Sequence, residues 1–189
     1  MKRLQEMAHA LADAPDDFLA ERSGDGDVAA FEALAHRHAP LMRAYARRLT
    51  RTYDDADDVV QEALITAWKD IRDLKDPASV KAWMMRIVAH RAVDSGRRRK
   101  VHGNLDEQGH AADKKPTPEQ AALAGSARLA LNQALARLPE EQRRCWVLKE
   151  IGGQSYEEIA ETLGISATSV RGRLARARTT LVKDMEDWR

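Results

Sequence analysis

Residues 155–181 read SYEEIAETLGISATSVRGRLARARTTL. A short amphipathic helix over Tyr156 to Leu163 is followed by Gly164, which takes a positive φ at little steric cost. Ser166 can cap a second helix running to about Lys183. Ile159, Ala160, Leu163, Ile165, Val170 and Leu174 have the spacing that packs two crossed helices. Arg171, Arg173, Arg176, Arg178 and Lys183 stud the second helix, and no acid lies between Thr162 and Lys183. A helix-turn-helix with a basic second helix fits a DNA major groove.

Working outward, composition favours helices throughout. The chain has 189 residues, 32% charged and 5% aromatic, rich in Ala, Leu and Arg, which predicts an all-α protein of small helical domains. The net charge of +1 is uninformative, but its segregation is not: acids crowd at Asp54 to Asp58, and bases at Arg97 to Lys100 and Arg171 to Arg178. The lone Cys145 allows no intramolecular disulfide, which suits a reducing cytoplasm. No run resembles a signal peptide or approaches the ~20 apolar residues of a membrane span.

Residues 1–26 read as a mobile N-terminal arm, broken at Asp13-Ala14-Pro15 and at Ser23-Gly24-Asp25-Gly26. Asp27 can cap a helix carrying Phe31 and Leu34, and Pro40 suits the first turn of a separate next helix with Leu41, Tyr45 and Leu49 on one face. The helix over Asp54 to Leu74 has a broad apolar stripe of Ala56, Val59, Val60, Ala63, Leu64, Ala67, Trp68 and Ile71, read as core. Its first turn is DDADD. The macrodipole favours one or two such carboxylates; four that repel one another call for a further reason. Another helix opens at Asp76-Pro77 with Val80, Trp83, Met84, Ile87 and Val88 as its core face, and ends in a basic tail weakened at Gly96. Residues 101–117 lack periodicity and read as a linker, so two domains flank it, over 27–100 and 118–184, with 185–189 as a tail. In the second domain, Leu138-Pro139 separates two helices, and Gly152-Gly153 ends the one that carries Cys145, Trp146, Leu148 and Ile151.

Asp57-Asp58-Val59-Val60-Gln61-Glu62, Ala67-Trp68, Ala82-Trp83, Ile87, Asp94 and Arg97-Arg98-Arg99 resemble region 2 of sigma-70-type initiation factors. Leu138-Pro139-Glu140-Glu141-Gln142-Arg143, Tyr156-Glu157-Glu158-Ile159-Ala160, Leu163-Gly164-Ile165-Ser166, Val170-Arg171 and Leu174-Ala175-Arg176-Ala177-Arg178 resemble region 4. In this order, joined only by a linker, they resemble the extracytoplasmic-function (group 4) subfamily. The resemblance implies an alternative sigma factor that binds core RNA polymerase and directs promoter-specific initiation, with no cofactor, metal or catalytic residue, and restrained by an anti-sigma factor.

It also implies roles. Asp54, Asp55, Asp57, Asp58, Gln61 and Glu62 would dock on the polymerase clamp, which accounts for the crowded acids. Lys81, Trp83, Arg86, His90, Arg91, Arg97, Arg98 and Arg99, with the Asp73 to Ser79 loop, would hold the melted minus-ten strand and a flipped base. Trp83 reads first as core, in phase with Ile87 and Val88, and second as a stacking platform. Thr168, Ser169, Arg171 and Arg173 would read minus-35 base edges, and Arg176 and Arg178 its phosphates. His90, where Asn is common, and Gly172, where a side chain is usual, bear on base preference.

Two other readings compete with this one. A plain helix-turn-helix activator explains 155–181 but not the acidic-Gln helix. A magnesium-dependent prenyl-processing enzyme would need a second acidic cluster facing DDADD across an apolar cavity, and none is seen. His36 and His38, two apart, point to different helix faces, and read as ordinary surface histidines.

Overall fold

The computed structural model describes residue 11 and residues 13–50, 52–101 and 125–186. Eight α-helices account for most of them: α1 Asp16–Gly24, α2 Val28–Leu49, α3 Tyr53–Asp70, α4 Val80–Val101, α5 Gly125–Arg137, α6 Glu140–Trp146, α7 Tyr156–Leu163 and α8 Ala167–Glu186. Short 3-10 turns at Ile71–Asp73 and Pro77–Ser79 lead from α3 to α4, and a π-helical stretch, Val147–Ile151, prolongs α6. No strand occurs among the described residues, and none of their helices is long and apolar enough to cross a membrane.

The cap expected at Asp27 is present, and Thr52, expected only as part of a connection, caps as well. The Asp27 carboxylate accepts from the Ala29 and Ala30 amides at 3.0 and 3.2 Å, opening α2. The Ala30 amide above all, with Arg22 and the Ala29 amide, holds the carboxyl below its ordinary range. Thr52 accepts from the Asp55 amide at 3.2 Å, opening α3.

Two expectations are corrected. Pro40 does not begin a helix; it lies inside the continuous α2. Its missing N–H and ring clash cost about 3 kcal/mol. One stripe on both sides of it, Leu34, Met42, Tyr45, Ala46 and Leu49, is buried, and that burial carries the helix through. Nor are residues 16–24 a mobile arm. Helix α1 docks with Leu19 and Ala20 buried, and Asp16 bonds to Arg37 and to His38 Nε2, the latter at 2.9 Å. His38 is thereby a buried residue, not a surface one.

The core runs across both halves of the chain. Leu34, Tyr45, Leu49, Met84 and Val88 belong to one buried cluster with Cys145, Leu148, Ile159, Val170 and Leu174. A smaller cluster of Ala134, Leu135, Leu138, Ala177 and Leu181 holds α5 on α8. The two expected domains are therefore packed together. The linker expected over 101–117 lies, apart from Val101, outside the described residues.

Candidate nucleic-acid interface

Three surfaces carry the expected site residues. The first is the outer ridge of α3. Asp58, Gln61, Glu62 and Ile65 recur at three- and four-residue steps, so they share one face. Asp54, Asp57, Asp58 and Gln61 are exposed and Glu62 half-buried. Asp55 is turned inward, with only 7% of its surface exposed, so it leaves the ridge. Arg43 Nε stands 3.4 Å from Asp57, and Arg98 3.3 Å from Glu62. Two apolar residues extend the face. Ile65 is 57% exposed and Trp68 37% exposed, the latter tilted at 57° against the Phe31 ring 5.1 Å away. Trp68 is thus a half-covered platform rather than core. Ile65 went unnoticed in the sequence, although it falls out of phase with the buried stripe and in phase with the acids.

The second surface is α4 with the loop before it. Asp76 orders that loop: its carboxylate accepts from the Ala78 amide at 3.2 Å, and its carbonyl from the Ser79 hydroxyl at 2.7 Å. A recess of about 390 Å³ opens here, lined by Asp73, Leu74, Lys75, Asp76, Ser79, Trp83 and Arg86. Trp83 packs against the core and also walls the recess. Lys81 and Arg97 are exposed. Arg91 instead donates to Thr66 Oγ1 at 2.8 Å, turned back on α3. Arg86 and His90 both face α7: Arg86 Nη1 donates to Glu158 Oε1 at 2.7 Å, and His90 Nε2 lies 2.9 Å from Thr162 Oγ1. Arg99 lies on the last turns of α4.

The third surface is the helix-turn-helix. A reciprocal box opens α7: the Glu158 amide donates to Ser155 Oγ at 3.1 Å, and the Ser155 amide to Glu158 Oε2 at 2.7 Å. Those contacts, with Ser155 first and Arg86 second, hold the Glu158 carboxyl below its ordinary range. Gly164 stands at φ 65° and ψ 42°, the left-handed conformation that ends α7. Ser166 Oγ then accepts from the Ser169 amide at 3.1 Å, opening α8. Val170, Leu174, Ala177 and Leu181 form the buried stripe of α8. Thr168, Ser169, Arg171 and Arg176 are exposed away from it. Arg171 also stacks 5.4 Å from the Tyr156 ring centroid. Arg173 sits on the flank of the stripe, tied to Glu141 at 2.8 Å with 21% of its side chain exposed, whereas Arg178 is exposed and pairs with Glu150 at 3.0 Å, as Arg171 does with Glu157 at 3.7 Å. Among the described residues no three His, Cys, Asp or Glu side chains gather to hold a metal.

Comparison with known proteins finds two family regions in the chain. Residues 34–101 match the model of Sigma-70 region 2, and residues 128–181 that of Sigma-70, region 4. The chain is 35% identical over 158 residues to ECF RNA polymerase sigma factor SigM of Mycobacterium tuberculosis, covering 84% of this chain and 78% of that one. It belongs to the sigma-70 family, among the ECF sigma factors.

As an ECF sigma factor it binds core RNA polymerase and directs promoter-specific initiation. It is also 33% identical over 175 residues to RNA polymerase sigma factor CnrH of Cupriavidus metallidurans, covering 88% of this chain and 92% of that one. The structure of CnrH in complex with the cytosolic domain of CnrY superposes with a TM-score of 0.55 at 29% identity, over 91% of this chain and 97% of that one. The sigma factor RpoE of Bartonella quintana, solved with the anti-sigma factor NepR, gives 0.63 at 25% identity over 82% and 96%. In this sigma factor, region 2 spans α2 to α4, with α1 docked on it, and region 4 holds the helix-turn-helix.

Proposed function

We propose that the chain divides its work among the three surfaces. Asp54, Asp57, Asp58, Gln61 and Glu62, extended by Ile65 and Trp68, dock on the polymerase clamp. The recess beside Trp83 and Arg86 takes a base of the melted minus-ten strand, and Lys81, His90, Arg97, Arg98 and Arg99 follow its backbone. Stacking on an aromatic wall and cationic contacts offset the few kcal/mol lost in unstacking a base. Thr168, Ser169, Arg171 and Arg176 meet minus-35 duplex in the major groove. Arg91, Arg173 and Arg178 act by bracing helices rather than by touching DNA. The working units are 27–100 and 118–184, both acting in the cytoplasm by binding alone, with no reaction catalysed. An anti-sigma partner restrains the factor, as the solved complexes of CnrH and RpoE suggest by likeness.

The observation that carries this reading is the segregation of charge. An acidic ridge on α3 and an outward cationic face on α8 occupy different elements of a chain whose net charge is only +1. Complementary charge of that kind steers docking and fixes register on each partner. Run-off transcription with purified core polymerase on a library of upstream sequences tests it, because initiation no higher than with core alone would refute the reading. In the same assay Asp58→Arg should abolish polymerase binding and spare duplex binding, and Arg171→Ala should do the reverse. An anti-sigma partner should appear in pull-downs from uninduced cells; recovery of polymerase alone would remove it.

A further inference from the structure

The ring of Tyr156, the first residue of α7, meets two cations. Lys149 Nζ lies 5.0 Å from its centroid and the central carbon of the Arg171 guanidinium 5.4 Å. Ring and lysine are both held in place. Tyr156 is half-buried and packs against the main buried cluster, and the capping box at Ser155 fixes the turn that carries it. Lys149, on the π-helical stretch before α7, donates to the Gln154 carbonyl at 2.9 Å. Arg171 is the outward member of the group, with 57% of its side chain exposed.

A long arginine side chain on a surface has many rotamers, and binding through it costs the entropy of choosing one. Contact with a fixed ring makes that choice in advance. A guanidinium over an aromatic face still presents its N–H edge, the edge that pairs with guanine O6 and N7. A competitor stands beside it. Glu157 Oε1 lies 3.7 Å from Arg171 Nη2, too far for a hydrogen bond and near enough to become one after a small rotation. Tyr156 and Glu157 are consecutive, so one turn of α7 carries both the group that holds Arg171 ready and the group that can capture it.

We propose that Tyr156 is a positioning residue for minus-35 recognition, whose ring keeps the Arg171 guanidinium turned to the DNA and out of reach of Glu157. The proposal rests on the assignment of Arg171 to minus-35 base edges. Tyr156 touches no base in this role; it acts through Arg171, and Lys149 steadies the ring.

The test uses the full chain assembled with core polymerase and two duplex promoters from the run-off library, one of them with its minus-35 element scrambled. The ratio of the two affinities is the readout, because polymerase and minus-ten contacts cancel in it. Arg171→Ala should lower the ratio about tenfold. Tyr156→Leu should lower it about two- to fivefold, and Tyr156→Phe, which keeps a ring, should hold it within about a factor of two of wild type. Glu157→Gln added to Tyr156→Leu should recover most of the loss. In the Arg171→Ala background Tyr156→Leu should lower the ratio no further, since the two residues act as one unit. A loss of equal size in both backgrounds would mean that Tyr156 acts on the fold rather than through Arg171, and overturns the proposal. So does an unchanged ratio for Tyr156→Leu beside a lowered one for Arg171→Ala, and the minus-35 assignment then stands. If Arg171→Ala itself leaves the ratio unmoved, that assignment fails and the proposal falls with it.

Discussion

Removing one oxygen from the middle of the protein should stabilise it. Tyr45 is wholly buried, its hydroxyl has no hydrogen-bond partner, and burial pushes the phenol pKa far up. Leaving a buried donor unpaired costs about 1–3 kcal/mol. Tyr45→Phe keeps the ring and its packing and forfeits only the dispersion contacts of one oxygen, each about 0.1–0.2 kcal/mol. The net expectation is a gain of about 1 kcal/mol. Tyr45→Ala, by contrast, should lose about 3–5 kcal/mol, the usual cost of deleting a buried ring.

A partner substitution sharpens the test. A Cβ at Gly152 would meet Tyr45 Oη at 2.4 Å and the Leu148 carbonyl at 2.7 Å. Gly152→Ala should therefore cost about 1–3 kcal/mol by overpacking. In the Tyr45→Phe background the first clash is gone and the second remains, so the cost should shrink without vanishing, a coupling of at least about 0.5 kcal/mol. Urea unfolding followed by circular dichroism and by tryptophan fluorescence measures both, as midpoint shifts at constant slope. A lower midpoint for Tyr45→Phe would mean that the hydroxyl is satisfied. Zero coupling would mean that Tyr45 and Gly152 do not meet in solution.

Three other outcomes are expected. The Glu158 carboxyl lies below its ordinary 4.5, held first by the Ser155 amide and then by Arg86. Its folded value is thus the lower one, so its stabilisation is complete above pH 4.5 and is lost as pH falls through the folded value. The stability gap between wild type and Glu158→Gln, taken from urea midpoints, should hold near neutrality and close below pH 4.5; a gap indifferent to acid would contradict this. Arg176→Ala should lower the slope of log affinity against log salt for duplex DNA by about 1, as one lost phosphate contact does. Arg173→Ala should leave that slope alone and lower the unfolding midpoint. Ile65→Asp should weaken association with core polymerase in a gel-shift or fluorescence assay without moving the unfolding midpoint, because the side chain is 57% exposed.

Local signals were legible where a few neighbouring residues decide the conformation. Gly164, Ser166 and the span of α7 could be read because a left-handed turn and a hydroxyl cap each need only a handful of consecutive residues. The two sigma regions followed from motif order. Pro40 misled because its local cost is real, yet the stripe from Leu34 to Leu49 overrides it only once α3 and α4 are in place. Docking of α1 depends on Asp16 finding Arg37 and His38, some twenty residues on. Its place near the start of α8 and the family motif point Arg173 to base edges, yet the phase of Val170, Leu174, Ala177 and Leu181 puts it beside the buried stripe, a signal the sequence already held. The seam between the halves had no such signal, for Arg86 and Glu158 are 72 residues apart and no periodicity links them.

Glu158 shows why local and long-range structure are hard to separate here. One carboxylate oxygen, Oε2, closes the cap of α7, and the other, Oε1, receives Arg86. Losing Arg86 therefore leaves the cap of α7 intact. The reverse does not hold. A change that removes the carboxylate altogether, Glu158→Ala, breaks the cap and the Arg86 contact together and would confound reading of either. Glu158→Gln separates them, since the amide oxygen can still serve the Ser155 amide while the charge that holds Arg86 is gone. If Glu158→Gln and Glu158→Ala lowered the urea midpoint equally, the two oxygens would not be dividing their work in this way.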